Sequence, residues 1–218
     1  TILGGDFAIK FGEMSLKGNL KELDLRTGQG QLNLITNKFS MAGWEQYIPL
    51  LQRYKLGGDA KLMANWKGDL RALEKTERIF NLTLDKASWT TPEGPGISNA
   101  SLSLDYGPIM VEGRQMQFEI GGSSVVVDLK ISGFPEQTQG FAKITSAEFK
   151  PFEAWQAVAA LLQHPTENKE PDSYGRVNGL LQAVFSAGTT LKNIAAEIQY
   201  AKGIWDIADL QFEGCGGK

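Results

Sequence analysis

The chain has 218 residues, 42% of them hydrophobic and 22% charged, with a net charge of −3. That is the composition of a folded protein of one large or two modest units, and it excludes disorder over most of the length. No basic stripe offers the electrostatic footprint of a nucleic-acid binder. The longest near-continuous apolar run, Ala157–Leu162, is far short of the ~20 residues of a spanning helix.

From Thr1 the sequence reads as strand, with no signal-peptide pattern. Both ends lie in strand pattern, which predicts a piece of a longer polypeptide. Short alternating runs follow at Leu23/Leu25 and Leu32/Leu34. Residues 40–54 then place Trp44, Tyr47, Ile48 and Leu51 on one helical face, with Ser40 as N-cap and Pro49 as a shortening element. From Asp59 to Lys67 the period returns to two. Ala60, Leu62, Ala64 and Trp66 share one face, and Asp59, Lys61, Met63, Asn65 and Lys67 the other. Leu82/Leu84 and Leu102/Leu104 continue the pattern.

Met116, Phe118 and Ile120 lead to the turn Gly121-Gly122-Ser123-Ser124, and Val125, Val127, Leu129 and Ile131 resume beyond it. This is a hairpin, because glycine tolerates the positive φ of tight turns. Residues 150–164 form a second amphipathic helix, with Phe152, Trp155, Val158, Ala159 and Leu162 on one face and Pro151 in its first turn. Residues 164–174 read as a solvated loop, and Gly179 opens a further strand. Ile194/Ala196/Ile198/Tyr200 and Leu210/Phe212 close the chain.

Alternation of this kind gives each strand one wet and one apolar face, the mark of antiparallel sheet. The order of motifs also repeats. Gly30 precedes Phe39 by nine positions, as Gly140 precedes Phe149. Leu-Leu-Gln begins six residues after Trp44 and again six after Trp155. The expected fold is mainly β: curved antiparallel sheet built from two related repeats, each with a short amphipathic α-helix. The first repeat spans 1–138, with its helix near 40–54. The second, truncated, spans 139–218, with its helix near 150–164.

The chemistry of most enzymes is missing. His164 is the single histidine, so neither a catalytic triad nor a multi-histidine metal site can form within the chain. Cys215 is the single cysteine. There is no phosphate-binding glycine loop, and the carboxylates Asp59, Asp85, Asp105, Glu119, Asp128 and Glu197 are scattered along wet faces. The reading is a non-enzymatic protein with no catalytic residues, no metal and no cofactor. Trp66, Trp89 and Trp205 could make a sugar-stacking platform, but Trp66 falls on an apolar face.

The segments Leu34-Ile35-Thr36-Asn37-Lys38-Phe39 before the first helix and Ile144-Thr145-Ser146-Ala147-Glu148-Phe149 before the second carry a resemblance. With Leu56-Gly57-Gly58-Asp59-Ala60 and Asn178-Gly179-Leu180, they resemble the C-terminal repeat region of AsmA-like bacterial envelope proteins, over roughly residues 15–217. The resemblance implies the periplasmic side of the envelope, with an inner-membrane anchor outside this sequence. It implies a curved sheet with an apolar groove, and links to outer-membrane assembly and phospholipid handling. The partners it suggests are phospholipid or acyl chains and outer-membrane assembly proteins.

Candidate groove residues are Leu62, Trp66, Leu82, Leu84, Leu102, Leu104, Phe118, Ile120, Val125, Val127, Leu129 and Ile131. An apolar sheet face must be covered by a helix, a sheet or a ligand, so the same residues could instead close as a sandwich core. Two other readings stay open: a scaffold that binds polypeptide by strand addition, and a carbohydrate-binding β-sandwich.

Overall fold

The computed structural model describes residues 1–48, 51–72, 76–91, 94–133, 137–162, 188–201 and 204–215. It is mainly β, with 73% of the described residues in strands of one curved, unclosed antiparallel sheet. The strands are β1 (Ile2–Phe11), β2 (Met14–Asp24), β3 (Gln29–Thr36), β4 (Phe39–Ser40), β5 (Lys55–Asp69) and β6 (Glu77–Thr91). They continue with β7 (Gly94–Tyr106), β8 (Met110–Ile120), β9 (Ser123–Ser132), β10 (Gln139–Phe149), β11 (Leu191–Ala201) and β12 (Ile204–Cys215). Apart from β4, each pairs with its chain neighbours, in the order β1-β2-β3-β5-β6-β7-β8-β9-β10-β11-β12.

The local sequence explains this meander. Successive long strands run antiparallel, each reversing the direction of the one before. Gly121 and Gly122, at φ 55 and 73, make a two-residue turn between β8 and β9. Ser123 and Ser124 belong to β9 and not to the turn.

β3 and β4 lie along different parts of β5: Ile35 faces Met63, and Phe39 faces Ala60. At the break, Thr36 Oγ1 accepts the Leu62 N–H at 2.9 Å, standing in for a backbone rung.

Among the described residues, five other than glycine have positive φ: Glu22, Lys86, Asn99, Gln115 and Asn193. Each coincides with a shift of register, on β2, β6, β7, β8 and β11 respectively. These are bulges. Each adds one residue to its strand and increases the local twist, which bends the sheet.

The two helical expectations part company. The second is present as α1 (Pro151–Leu162), with Pro151 in its first turn. The first is corrected: among the described residues 40–54 hold no α-helix. Ser40 ends β4, and Trp44–Gln46 is a single 3-10 turn entered through Gly43 at φ 85. A left-handed glycine at its start and Pro49 soon after leave too few residues to repay helix nucleation. Two related repeats, each with an α-helix, are therefore not seen. The sheet passes residue 138 without a break, since β9 pairs with β10. The loop expected over 164–174, with His164, and the strand expected from Gly179 lie outside the described residues.

One buried cluster joins Ala60, Leu84, Ala87 and Ala100, flanked by Phe39, Trp89 and Phe118. A second joins Ile120 and Val125 to Ala154 and Ala157 of α1. Neither links strands from opposite ends of the sheet, so this is not the core of a sandwich. No helix among the described residues is long and apolar enough to cross a membrane.

Candidate functional site

Residues paired across a ladder share a face, so the register can be followed from strand to strand. Phe7 faces Gly18, then Leu34, Ala64, Phe80, Tyr106, Val111, Ile131, Gly140 and Tyr200. A neighbouring row runs Leu62, Leu82, Leu104, Gly113, Leu129, Ala142, Ile198 and Ile207. One face of the sheet is thus apolar from β1 to β12.

The structure brings all twelve candidate groove residues onto this face. Leu62, Leu82, Leu104 and Leu129 lie in the second row and Ile131 in the first. Trp66 pairs beside Leu32, Leu84 with Leu102, Phe118 with Val125, Val127 with Met116, and Ile120 with Ile97. They are not equally accessible. Leu84, Ile120 and Val125 are buried core, Leu62 is 38% exposed, and the others are half-buried.

Cover is local. At one end Trp44 of the 3-10 turn packs against Phe11 and Phe39, with ring centroids 5.5 and 5.3 Å apart, and Tyr47 meets Phe11 edge-on at 5.1 Å. Farther along, α1 covers Ile120 and Val125.

Several residues of this face were not among the candidates: Phe7, Ile9 and Phe11 of β1, Phe80 and Tyr106, and Ile207 of β12. The alternation of Phe7, Ile9 and Phe11 was the signal that could have found the first three. Phe7 lies over Gly18, where an added Cβ would meet its ring. The tryptophans form no sugar platform among the described side chains. Trp66 packs edge-on against Phe80 at 5.1 Å, and Trp89 belongs to the first core cluster.

A cleft of about 730 Å³ is on the opposite face and contains none of the twelve. Ile35, Met63 and Ile79 form an exposed apolar floor. Around it run the cross-strand neighbours Asp6, Asn19, Asn33 and Asn65. The Asp6 carboxylate accepts a hydrogen bond from Asn19 Nδ2 at 2.5 Å, and Asn33 Oδ1 accepts one from Asn65 Nδ2.

That face also carries a cluster of three charges. Asp59 and Asp85 are cross-strand partners, and Lys38 Nζ lies 3.1 Å from one and 2.6 Å from the other. The hydrogen bond from Lys38 holds the Asp85 carboxyl below its ordinary value. Asp85, then Asp59, raises the Lys38 ammonium.

No protein-family model matches the chain, and neither a curated protein nor a solved structure is significantly similar to it.

Proposed function

We propose that the apolar face is a surface for acyl chains, and that the protein is a non-enzymatic lipid-handling module of the bacterial envelope. The observation that carries this reading is the apolar face itself. It runs the full width of an unclosed sheet, and among the described residues helical segments cover it only at the Trp44 turn and under α1. Each methylene buried there contributes ~0.8 kcal/mol, so a dozen suffice for useful binding without polar recognition. The resemblance to AsmA-like proteins supplies the setting: the periplasmic side, tethered to the inner membrane by a segment outside this sequence, in outer-membrane assembly or phospholipid transport.

The test is native mass spectrometry with lipid extraction, after incubation with phospholipid vesicles, on the parent chain and on Leu62→Asp and Leu104→Asp. Bound phospholipid that falls at least tenfold in both variants, with unchanged circular dichroism, is the expected result. A lipid-free parent that also fails to take up a dansyl-labelled fatty acid would remove the reading. A second reading, a scaffold that takes polypeptide by strand addition, draws on the exposed edge β12. Its Asp206, Asp209 and Glu213 would favour an extended basic segment.

A further inference from the structure

All ten residues of the edge strand β1 are exposed, among them Ile2 at 72%, Phe7 at 40%, Ile9 at 55% and Phe11 at 45%. A long apolar edge of this kind is a template for another strand. The backbone says which groups it offers. The Leu25 N–H donates to the Thr1 carbonyl at 3.1 Å, so the odd-numbered residues of β1 bond to β2. The Asn37 N–H donates to the Ser15 carbonyl at 3.0 Å, which assigns the odd residues of β2 to β3 and leaves its even residues for β1. Both observations agree. Gly4, Asp6, Ala8 and Lys10 therefore turn their N–H and C=O groups to the edge that no described strand pairs.

We infer that β1 pairs with β1 of a second copy, antiparallel and centred on Ala8, to make a two-fold dimer. Three constraints select this arrangement. First, along an antiparallel path of eleven strands β1 and β12 run in the same direction. Joining copies head to tail in one orientation would give a parallel seam, whereas β1 against β1 is antiparallel.

Second, only registers that set even residues opposite even residues bond the outward groups and keep the apolar faces on one side. Centring on Asp6 would oppose two carboxylates. Centring on Phe7 pairs Asp6 with Ala8. Centring on Ala8 places Asp6 opposite Lys10 twice, forms about six backbone hydrogen bonds, and sets Phe7 beside Ile9 across the seam.

Third, β12 carries Asp206, Asp209 and Glu213 and no Lys or Arg, so pairing it with itself sets acid near acid. The dimer stands whether or not the apolar face holds lipid.

A one-strand seam is at the small end of specific interfaces, so a dissociation constant of about a micromolar to tens of micromolar is expected, weakening with salt. Sedimentation equilibrium of the 218-residue chain reads it directly. Asp6→Lys and Lys10→Asp, each of which opposes like charges, should both be monomeric. The double exchange Asp6→Lys with Lys10→Asp should dimerise again, which a purely structural role for either residue would not produce. Ala8→Pro removes an outward N–H while leaving the ladder to β2, and should be a folded monomer. A parent chain that stays monomeric at ~100 μM, single variants that still dimerise, or a double exchange as monomeric as the singles would each overturn the inference.

Discussion

Lys38 stands where two carboxylates would otherwise face each other. Asp59 and Asp85 are opposed across β5 and β6, and like charges directly opposite destabilise a ladder. The ammonium between them turns that repulsion into two ion pairs. All three groups are well exposed, so salt weakens the arrangement. The pH window follows from the directions of the shifts. The carboxyl of Asp85 is lowered, so its contribution is present above its unfolded value of about 4 and is lost as pH falls through the lower folded value. The ammonium of Lys38 is raised, so its contribution is full below about 10.4 and is lost as pH rises through the higher folded value. Replacing Lys38 by Met should therefore lower Tm at pH 7, and the deficit should shrink in strong acid, as pH falls through the lowered value of Asp85. Thermal unfolding by circular dichroism at both pH values checks it. A deficit that persists unchanged in acid would mean that the packing of the lysine stem, not its charge, was lost. In the sequence these three residues are only scattered charges; what joins them is a register that no local pattern reveals.

Individual strands were legible because period two survives within each of them. Bulges are harder to read, yet each leaves a phase slip. In β6 the apolar face runs Leu82, Leu84 and then Ala87, Trp89, with Lys86 taking the extra place. The helix expected over 40–54 is absent among the described residues because Gly43, at φ 85, and Pro49 govern whether a turn can propagate, whatever the apolar stripe between them. The junction of the β8–β9 turn with α1 is the opposite case, where glycine sequence and structure agree for a reason that only packing shows. A Cβ on Gly121 would stand 2.3 Å from the Ala154 nitrogen and from the Glu153 carbonyl carbon, both backbone atoms of α1. Next to it, Ser123 Oγ accepts the Lys150 N–H at 2.8 Å just ahead of the helix. Gly121→Ala should push α1 off Ile120 and Val125 and cost about 2–4 kcal/mol. At Gly122 the nearest atom is the end of the Lys150 side chain at 3.6 Å, so Gly122→Ala should cost only the backbone strain, about 1–2 kcal/mol. Urea unfolding followed by tryptophan emission compares the two. Equal losses would show that turn strain alone matters and that contact with α1 does not.

At the scale of the whole sheet, chain order is also spatial order, which is why the candidate face could be read before the register was known. Period two assigns each side chain to a face, and a meander carries that face unbroken from hairpin to hairpin. The cleft on the other face could not be read that way, because Ile35, Met63 and Ile79 come from three strands whose alternation marks those positions as wet. The same topology governs how the molecule opens. Each strand is held chiefly by its two neighbours, as repeats are in a solenoid, so stability should fall from the middle towards β1 and β12. The buried clusters lie on β5–β9, and every described side chain of β1 and β12 is exposed. Hydrogen exchange at concentrations too dilute for edge pairing should find the slowest amides in β6–β9 and the fastest in the two edge strands. Within β1 it should also alternate. The amides of Phe7 and Ile9, bonded to β2, should exchange more slowly than those of Asp6, Ala8 and Lys10, which face solvent. Raising the concentration should slow these outward amides selectively once two β1 edges meet. Protection equal across all strands would instead mean that the sheet opens as one unit, with its stability not graded along the meander.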